Sequence, residues 1–178
     1  MEFIAEFCQN HNGDFNILKD MVYSAKENGA TYAKVQHIYS DMLSFRDRFE
    51  PEKNKKTLVR PFKNEYERLK KLELSFKEQS DFVDLCKEIK IKPLTTIFSS
   101  NSLNEILELG FSDIKIASYD CSSEALINDV KDNFDRIIVS TGASYDKEIE
   151  LTSSQLKNRN FTLLHCVTLY PTPLQEFH

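Results

Sequence analysis

Residues able to handle an anion recur through this 178-residue chain at one kind of place, the end of a short apolar run. Glu6 closes the first run and is followed by Cys8, Gln9, Asn10, His11, Asn12 and Gly13. Lys34 and Gln36 stand two apart in the second, so in an extended strand they share a face. Thr95, Thr96, Phe98 and Ser99 end the third run, and Lys115, Ser118 and Asp120 the fourth. Ser140, Thr141 and Gly142 end the fifth, and His165, Thr168 and Tyr170 the sixth. Two ammonium groups supply charge, while hydroxyls and the backbone N–H groups of a glycine turn supply directed donors. That combination suits an oxyanion such as phosphate. A carboxylate among apolar residues is costly to bury without a purpose, and Glu6 is in place to manage a proton. Each residue alone has a plainer use: a Ser or Thr after a strand caps a helix, Glu6 can be salt-bridged in a capping loop, and His165 reads equally well as a satisfied core residue. Convergence on successive strand ends is what favours a site.

The elements that must hold these residues are legible from periodicity. The apolar runs are Phe3–Phe7, Tyr32–Gln36, Pro93–Phe98, Ile114–Ala117, Arg136–Ser140 and Phe161–Cys166, with helical spacing between most of them. Asp14 and Asn16 can cap a helix carrying Leu18, Met21, Val22 and Ala25 that stops at Gly29. Ser75 with Glu78, and Ser102 with Glu105, have capping-box spacing; the second of these helices stops at Gly110. Ser123 opens a shorter helix, and Asp146 to Leu156 reads as another. Such alternation implies parallel strands and right-handed crossovers, and the last four strands begin about 22 residues apart. Ile38 to Leu74 is too long for a simple connection and reads as an excursion over one face, with a helix at Asn64–Leu72.

An open doubly wound sheet and a (β/α)8 barrel both fit this order. Neither G-x-G-x-x-G nor G-x-x-x-x-G-K-[ST] occurs, which weakens the nucleotide-binding version, and chemistry at every strand's C-terminal end favours the barrel. The expected fold is therefore α/β, of (β/α)8 TIM-barrel type, cut short after about six β/α units, because a closed barrel takes about 250 residues. Residues 1–178 are expected to be one incomplete barrel domain.

Composition narrows the function classes. The formal net charge is −5, and the richest basic stretch, Lys53 to Lys77, is interrupted by Glu65, Glu67 and Glu73, as in a solvated helix and loop. Bulk nucleic-acid binding is not expected. No apolar stretch approaches the roughly 18 residues that would span a bilayer, and the N-terminus lacks a basic n-region. The four cysteines form no C-x-x-C pair and are expected reduced and mostly buried, in a cytoplasmic protein.

The motifs also carry a resemblance. Ala5-Glu6 followed by Gln9-Asn10-His11-Asn12-Gly13-Asp14 resembles the N-terminal signature of the sialic acid synthases, a family that includes the pseudaminic and legionaminic acid synthases. Ala33-Lys34-Val35-Gln36, Thr95-Thr96-Ile97-Phe98-Ser99, Lys115-Ile116-Ala117-Ser118, Val139-Ser140-Thr141-Gly142 and Leu164-His165-Cys166-Val167-Thr168-Leu169-Tyr170-Pro171 resemble its later motifs in order. The resemblance implies condensation of phosphoenolpyruvate with an N-acetylated hexosamine, typically N-acetylmannosamine, to a nonulosonic acid. It further implies a divalent metal (manganese or magnesium) and a homodimer completed by a C-terminal antifreeze-like domain. By motif, Lys34, Thr96, Lys115, Ser118, Ser140, Thr168 and Tyr170 would hold phosphoenolpyruvate. Glu6 would act as acid/base or water-orienting group, and Gln36, Phe98 and Asp120 would shape the sugar side. Tyr119 stands where the family usually has glycine, which marks a subgroup, and Thr168 where it often has Asn. The family's metal-binding histidines fall in seventh and eighth strands, past His178; no metal ligand is assigned here, and none of His11, His37 or His178 substitutes by motif. On that basis little condensation activity is expected of these residues alone. Two other readings stay open: a binding or scaffold protein that pairs its open sheet edges with another chain, and a Schiff-base aldolase using Lys34 or Lys115.

Overall fold

The computed structural model describes residues 1–51, 59–169 and 171–176. Six parallel strands, β1 (Ile4–Cys8), β2 (Tyr32–Gln36), β3 (Lys92–Ile97), β4 (Asp113–Ile116), β5 (Arg136–Ser140) and β6 (Phe161–Leu164), lie side by side in chain order. A doubly wound sheet reverses its strand order at a switch point. This one never does, so the sheet is the half-barrel of a TIM-type fold. Between the strands run α1 (Phe15–Glu27), α2 (Phe62–Lys70), α3 (Phe76–Glu88), α4 (Leu103–Glu108), α5 (Glu124–Val130) and α6 (Asp146–Gln155).

Strand alternation sorts the side chains into two layers. Ala33, Val35, Ile97, Ile114, Ile116, Ile137 and Val139 face outward and form the main core with Leu18 and Val22 of α1, Phe82 and Cys86 of α3, Ile106 of α4 and Ile127 of α5. Each fully buried Val, Leu, Ile or Phe side chain among them contributes about 1.5–3 kcal/mol. On the inner face Tyr32, Leu94 and Ile138 make a smaller apolar layer with Ile4 and Leu164. Below it, at the N-terminal ends of the strands, the Tyr32 hydroxyl donates to Asp113 (2.6 Å) and accepts from Arg136 (3.2 Å), which also pairs with Glu2 (2.7 Å). This floor ties β2, β4 and β5 together and leaves the opposite rim for other work.

Several local expectations hold. Asp14 caps α1 by accepting from Asn16 N–H, and Ser75 and Glu78 close a reciprocal box on α3. Others change. Ser102 and Glu105 form no box: Ser102 makes no capping bond, and the Glu105 carboxylate accepts instead from the Tyr39 hydroxyl. Ser123 likewise makes no side-chain cap on α5. The helix of the excursion starts at Phe62, directly behind Pro61, two residues before the expected position. All four cysteines are free, but Cys8 and Cys166 are only half-buried, because both stand at the open strand ends. No helix among the described residues is long and apolar enough to cross a membrane.

Candidate active site

The inner face carries the chemistry. Strand register sets Glu6 beside Lys34, Gln36 beside Thr96, and Thr96 beside Lys115. The pleat points these groups and Ser140 toward the barrel axis, with Lys34 beside Leu94, Lys115 beside Ile138, and Thr96 and Ser140 the next inward positions beyond Leu94 and Ile138. They line a cavity of about 240 Å³, joined by Phe98, Ser118 and Thr168 from the connections beyond the strands and by Cys166, a side chain the sequence did not single out.

Glu6 owes its position to a bulge. The β1–β2 register slips between Glu6 and Cys8, and Cys8 takes a positive φ of 51°. That irregularity turns Phe7 into the core and lets Glu6 Oε1 accept from the Cys8 N–H at 3.0 Å. Its other oxygen lies 2.7 Å from Lys34 Nζ. The salt-bridged reading of Glu6 is thus correct as far as it goes, yet the carboxylate remains 46% exposed while Lys34 is 1% exposed, so the pair opens onto the cavity. The polar run that follows is largely structural. Gln9 accepts from Arg68 at 3.0 Å, buried His11 accepts from Gly13 N–H at 3.1 Å, and a Cβ on Gly13 would lie 2.2 Å from the Lys71 carbonyl oxygen. Gly13 therefore lets the loop after β1 dock onto the end of α2.

Burial holds the Lys34 ammonium below its ordinary value, against the opposing pull of Glu6. Lys115 is lowered first by burial and then by the positive charge of Lys34. Its contact with the Ile116 carbonyl is at 3.5 Å, a poor hydrogen bond. Two desolvated cations thus share one cavity with a single carboxylate. Nearby, Ser118 Oγ accepts from the Gly142 N–H at 3.1 Å. Gly142 has no room for a side chain: a Cβ would fall 3.0 Å from that oxygen and 3.1 Å from Cys166 Cβ.

Not every expected residue joins the cluster. Asp120 lines an adjoining cavity that shares Phe98 with the first. Thr168 does line the first cavity, from the segment past β6, which ends at Leu164, whereas His165 is exposed and neither in the core nor in the cavity lining. Tyr170 lies outside the described residues. A supporting layer went unnoticed in the sequence. His37 is fully buried; its Nδ1 meets Gln79 Oε1 at 2.8 Å, and the Gln79 amide donates to Tyr39 (2.9 Å) and to the Leu74 carbonyl (3.1 Å). Since Oε1 can only accept, Nδ1 carries the proton, and burial holds the ring below its usual value. The His37 N–H donates to the Thr96 carbonyl at 3.2 Å, so this network fixes the end of β2 beside Thr96. Its members are scattered over the chain, and no local pattern joins them.

Among the described residues no group of three or more His, Cys, Asp or Glu side chains could hold a metal ion. The divalent ion that the resemblance implies finds no ligand set among them.

The model of the NeuB family matches residues 21–178. An N,N'-diacetyllegionaminic acid synthase of Campylobacter jejuni is 32% identical over 97% of this chain and 53% of its own length. The synthase of the same name from Legionella pneumophila is 29% identical over 97% and 50%. The solved N-acetylneuraminic acid synthetase of Leptospira borgpetersenii, in complex with citrate, superposes with a TM-score of 0.81 at 29% identity, covering 98% of this chain and 56% of that one. The chain spans about half the length of the curated relatives it matches.

Proposed function

The chain belongs to the NeuB family of sialic acid synthases, and from that premise we propose that the cavity at its strand ends binds phosphoenolpyruvate for condensation with an N-acetylated hexosamine. The observation that carries this reading is the pairing of Lys34 and Lys115 in one cavity against the lone carboxylate of Glu6. Each cation is desolvated, and Lys115 is also repelled by Lys34. A polyanion removes that penalty, and the hydroxyls of Thr96, Ser118 and Ser140, with Thr168 and Tyr170 beyond them, supply directed donors. Residues 1–178 are one incomplete barrel domain in this reading, with little condensation activity of their own, and the protein works in the cytoplasm.

The chemistry balances. The methylene carbon of phosphoenolpyruvate forms a bond to the aldehyde carbon of the sugar, whose oxygen takes up a proton. Water adds to the carbon that bears the phosphate ester and gives one proton to Glu6, which balances the proton taken up by the sugar oxygen; its second proton leaves with the phosphate as the C–O bond breaks, releasing inorganic phosphate and the 2-keto acid. Lys34 and Lys115 stabilise the anionic groups throughout. Glu6 suits the proton transfer because its carboxylate is reachable by water while held by Lys34 and the Cys8 N–H. Gln36 and Phe98 face the sugar side, with Asp120 behind Phe98.

Calorimetric titration of phosphoenolpyruvate into the chain tests the reading. One saturable site that prefers phosphoenolpyruvate to pyruvate by at least tenfold is expected; pyruvate binding as tightly as phosphoenolpyruvate would defeat it. The lowered lysines also suit a Schiff base. Borohydride trapping with pyruvate separates the two chemistries: no adduct is expected, and a Lys115 adduct would replace the condensation reading.

A further inference from the structure

Cys166 reaches the phosphoenolpyruvate cavity but takes no part in the chemistry above. It follows β6 by two residues and shares the cavity wall with Lys34, Lys115, Ser118 and Ser140. Its side chain is half-buried, whereas Cys86 and Cys121 are closed off in the core. Cys8 is half-buried too, but it does not line this cavity. The Cys166 sulfur contacts the Leu164 carbonyl oxygen at 3.5 Å. It also lies close enough to Lys115 for a negative charge on it to help hold the lysine's proton.

Space and donors beside this sulfur are kept open. A Cβ on Gly142 would fall 3.1 Å from Cys166 Cβ, so glycine leaves room on that wall. Ser140 is 4% exposed and Thr96 2%, both line the cavity, and neither hydroxyl has a hydrogen-bond partner among the described residues. Buried donors are costly to leave unpaired, and Lys115 has only its long contact with the Ile116 carbonyl. The cavity is therefore short of acceptors. An oxygen carried by the Cys166 sulfur would supply one from within the chain.

The thiolate is the reactive form of cysteine, and reactive thiols sit in electropositive, partly exposed surroundings. Cys166 has both, with two ammonium groups on the same wall. A small hydroperoxide, hydrogen peroxide being the simplest, balances the step. The thiolate attacks one peroxide oxygen, and an S–O bond forms as the O–O bond breaks. The departing hydroxide takes up the proton that the thiol gave up and leaves as water. Sulfur is oxidised by two electrons and the peroxide reduced by two, which yields a sulfenic acid.

We propose that Cys166 is an oxidation site inside the anion cavity: a small hydroperoxide converts its thiol to a sulfenic acid whose oxygen takes the place of a phosphoenolpyruvate oxyanion, so that oxidation and phosphoenolpyruvate exclude each other. The proposal rests on phosphoenolpyruvate binding in this cavity. The block is reversible, because a sulfenic acid condenses with an external thiol, losing water, and a second thiol reduces the resulting disulfide.

The test adds hydrogen peroxide to the chain with dimedone, which caps sulfenic acids, and maps the labelled cysteines by peptide mass spectrometry. Label is expected chiefly on Cys166 and at least tenfold more slowly in saturating phosphoenolpyruvate. Calorimetry on chain oxidised without dimedone is expected to show phosphoenolpyruvate binding at least tenfold more weakly than to the reduced chain, with the loss recovered in dithiothreitol. In Cys166→Ser the affinities before and after peroxide should agree, whereas Cys8→Ser should keep the drop. Should Cys166→Ser lose its fold by circular dichroism, the labelling and calorimetry of the unaltered chain decide. Cys166 left unlabelled, labelling at the same rate with phosphoenolpyruvate present, unchanged affinity in chain oxidised at Cys166, or a drop that persists in folded Cys166→Ser overturns the proposal while phosphoenolpyruvate still binds the reduced chain. Failure of the reduced chain to bind phosphoenolpyruvate removes the reading beneath it as well.

Discussion

Replacing Lys115 by Met separates what the site costs the fold from what it gives the ligand. In the unliganded protein this ammonium is partly desolvated, repelled by Lys34 and poorly hydrogen-bonded. Met retains most of the stem and removes the charge. Exchanging buried charge for apolar volume is often neutral or stabilising, and for a half-buried lysine the gain is between about zero and 1 kcal/mol. Phosphoenolpyruvate loses a charged contact. Two unit charges about 4 Å apart interact by about 4 kcal/mol at an effective dielectric near 20, and charge-assisted hydrogen bonds net about 1.5–3 kcal/mol after desolvation. A loss of about 2–3 kcal/mol corresponds to roughly 30- to 150-fold weaker binding. The pH dependence follows the same logic. Lys115 binds its proton less tightly folded than unfolded, so between its depressed folded value and the ordinary 10.5 the unfolded chain carries more protons. Stability therefore climbs with pH across that window, and Lys34 acts in the same direction. Lys115→Met makes the climb shallower. Calorimetry for phosphoenolpyruvate, with urea unfolding at several pH values, reads both effects. An affinity within threefold of the wild type, or a stability loss above about 2 kcal/mol, would refute the reasoning.

Gly142→Ala forces a methyl group to within 3.0 Å of Ser118 Oγ and 3.1 Å of Cys166 Cβ; overpacking of this kind costs about 1–3 kcal/mol, and calorimetry should show weakened phosphoenolpyruvate binding in step with thermal destabilisation. Ser75→Ala removes the hydroxyl half of the α3 capping box and leaves the backbone N–H of residue 75 to Glu78; it should lower stability by about 1 kcal/mol with no change in phosphoenolpyruvate affinity, because Ser75 does not line the cavity. His37→Leu leaves Gln79 Oε1 without its 2.8 Å partner, at a cost of about 1–3 kcal/mol in urea unfolding; adding Gln79→Leu should cost less than the sum of the single changes.

The fold was readable where local rules and tertiary packing agree. Tyr32–Gln36 and Arg136–Ser140 are strands from end to end as their apolar alternation indicates, and the spacing of Lys34 and Gln36 put both on the inner face. The Ser75 box formed, with Glu78 accepting from the Ser75 N–H and donating its own N–H to the Ser75 hydroxyl. Ser102 had the same spacing, but Glu105 is claimed by Tyr39, 66 residues away in sequence, and no local pattern reports such a competitor. The bulge that aims Glu6 rests on a positive φ at Cys8, a residue type that gives no warning of it. His37 was invisible for a related reason: it matters only through α3, which the fold brings alongside it. Thr168 was placed at a strand end that stops four residues earlier.

A crystal of the chain soaked in phosphoenolpyruvate tests the central claim most directly. The predicted result is density for one molecule on the inner rim, its anionic groups in contact with both Lys34 and Lys115 and its phosphate beside the hydroxyls of Ser118 and Ser140. Density seated elsewhere, or a ligand that touches neither lysine, would contradict the account.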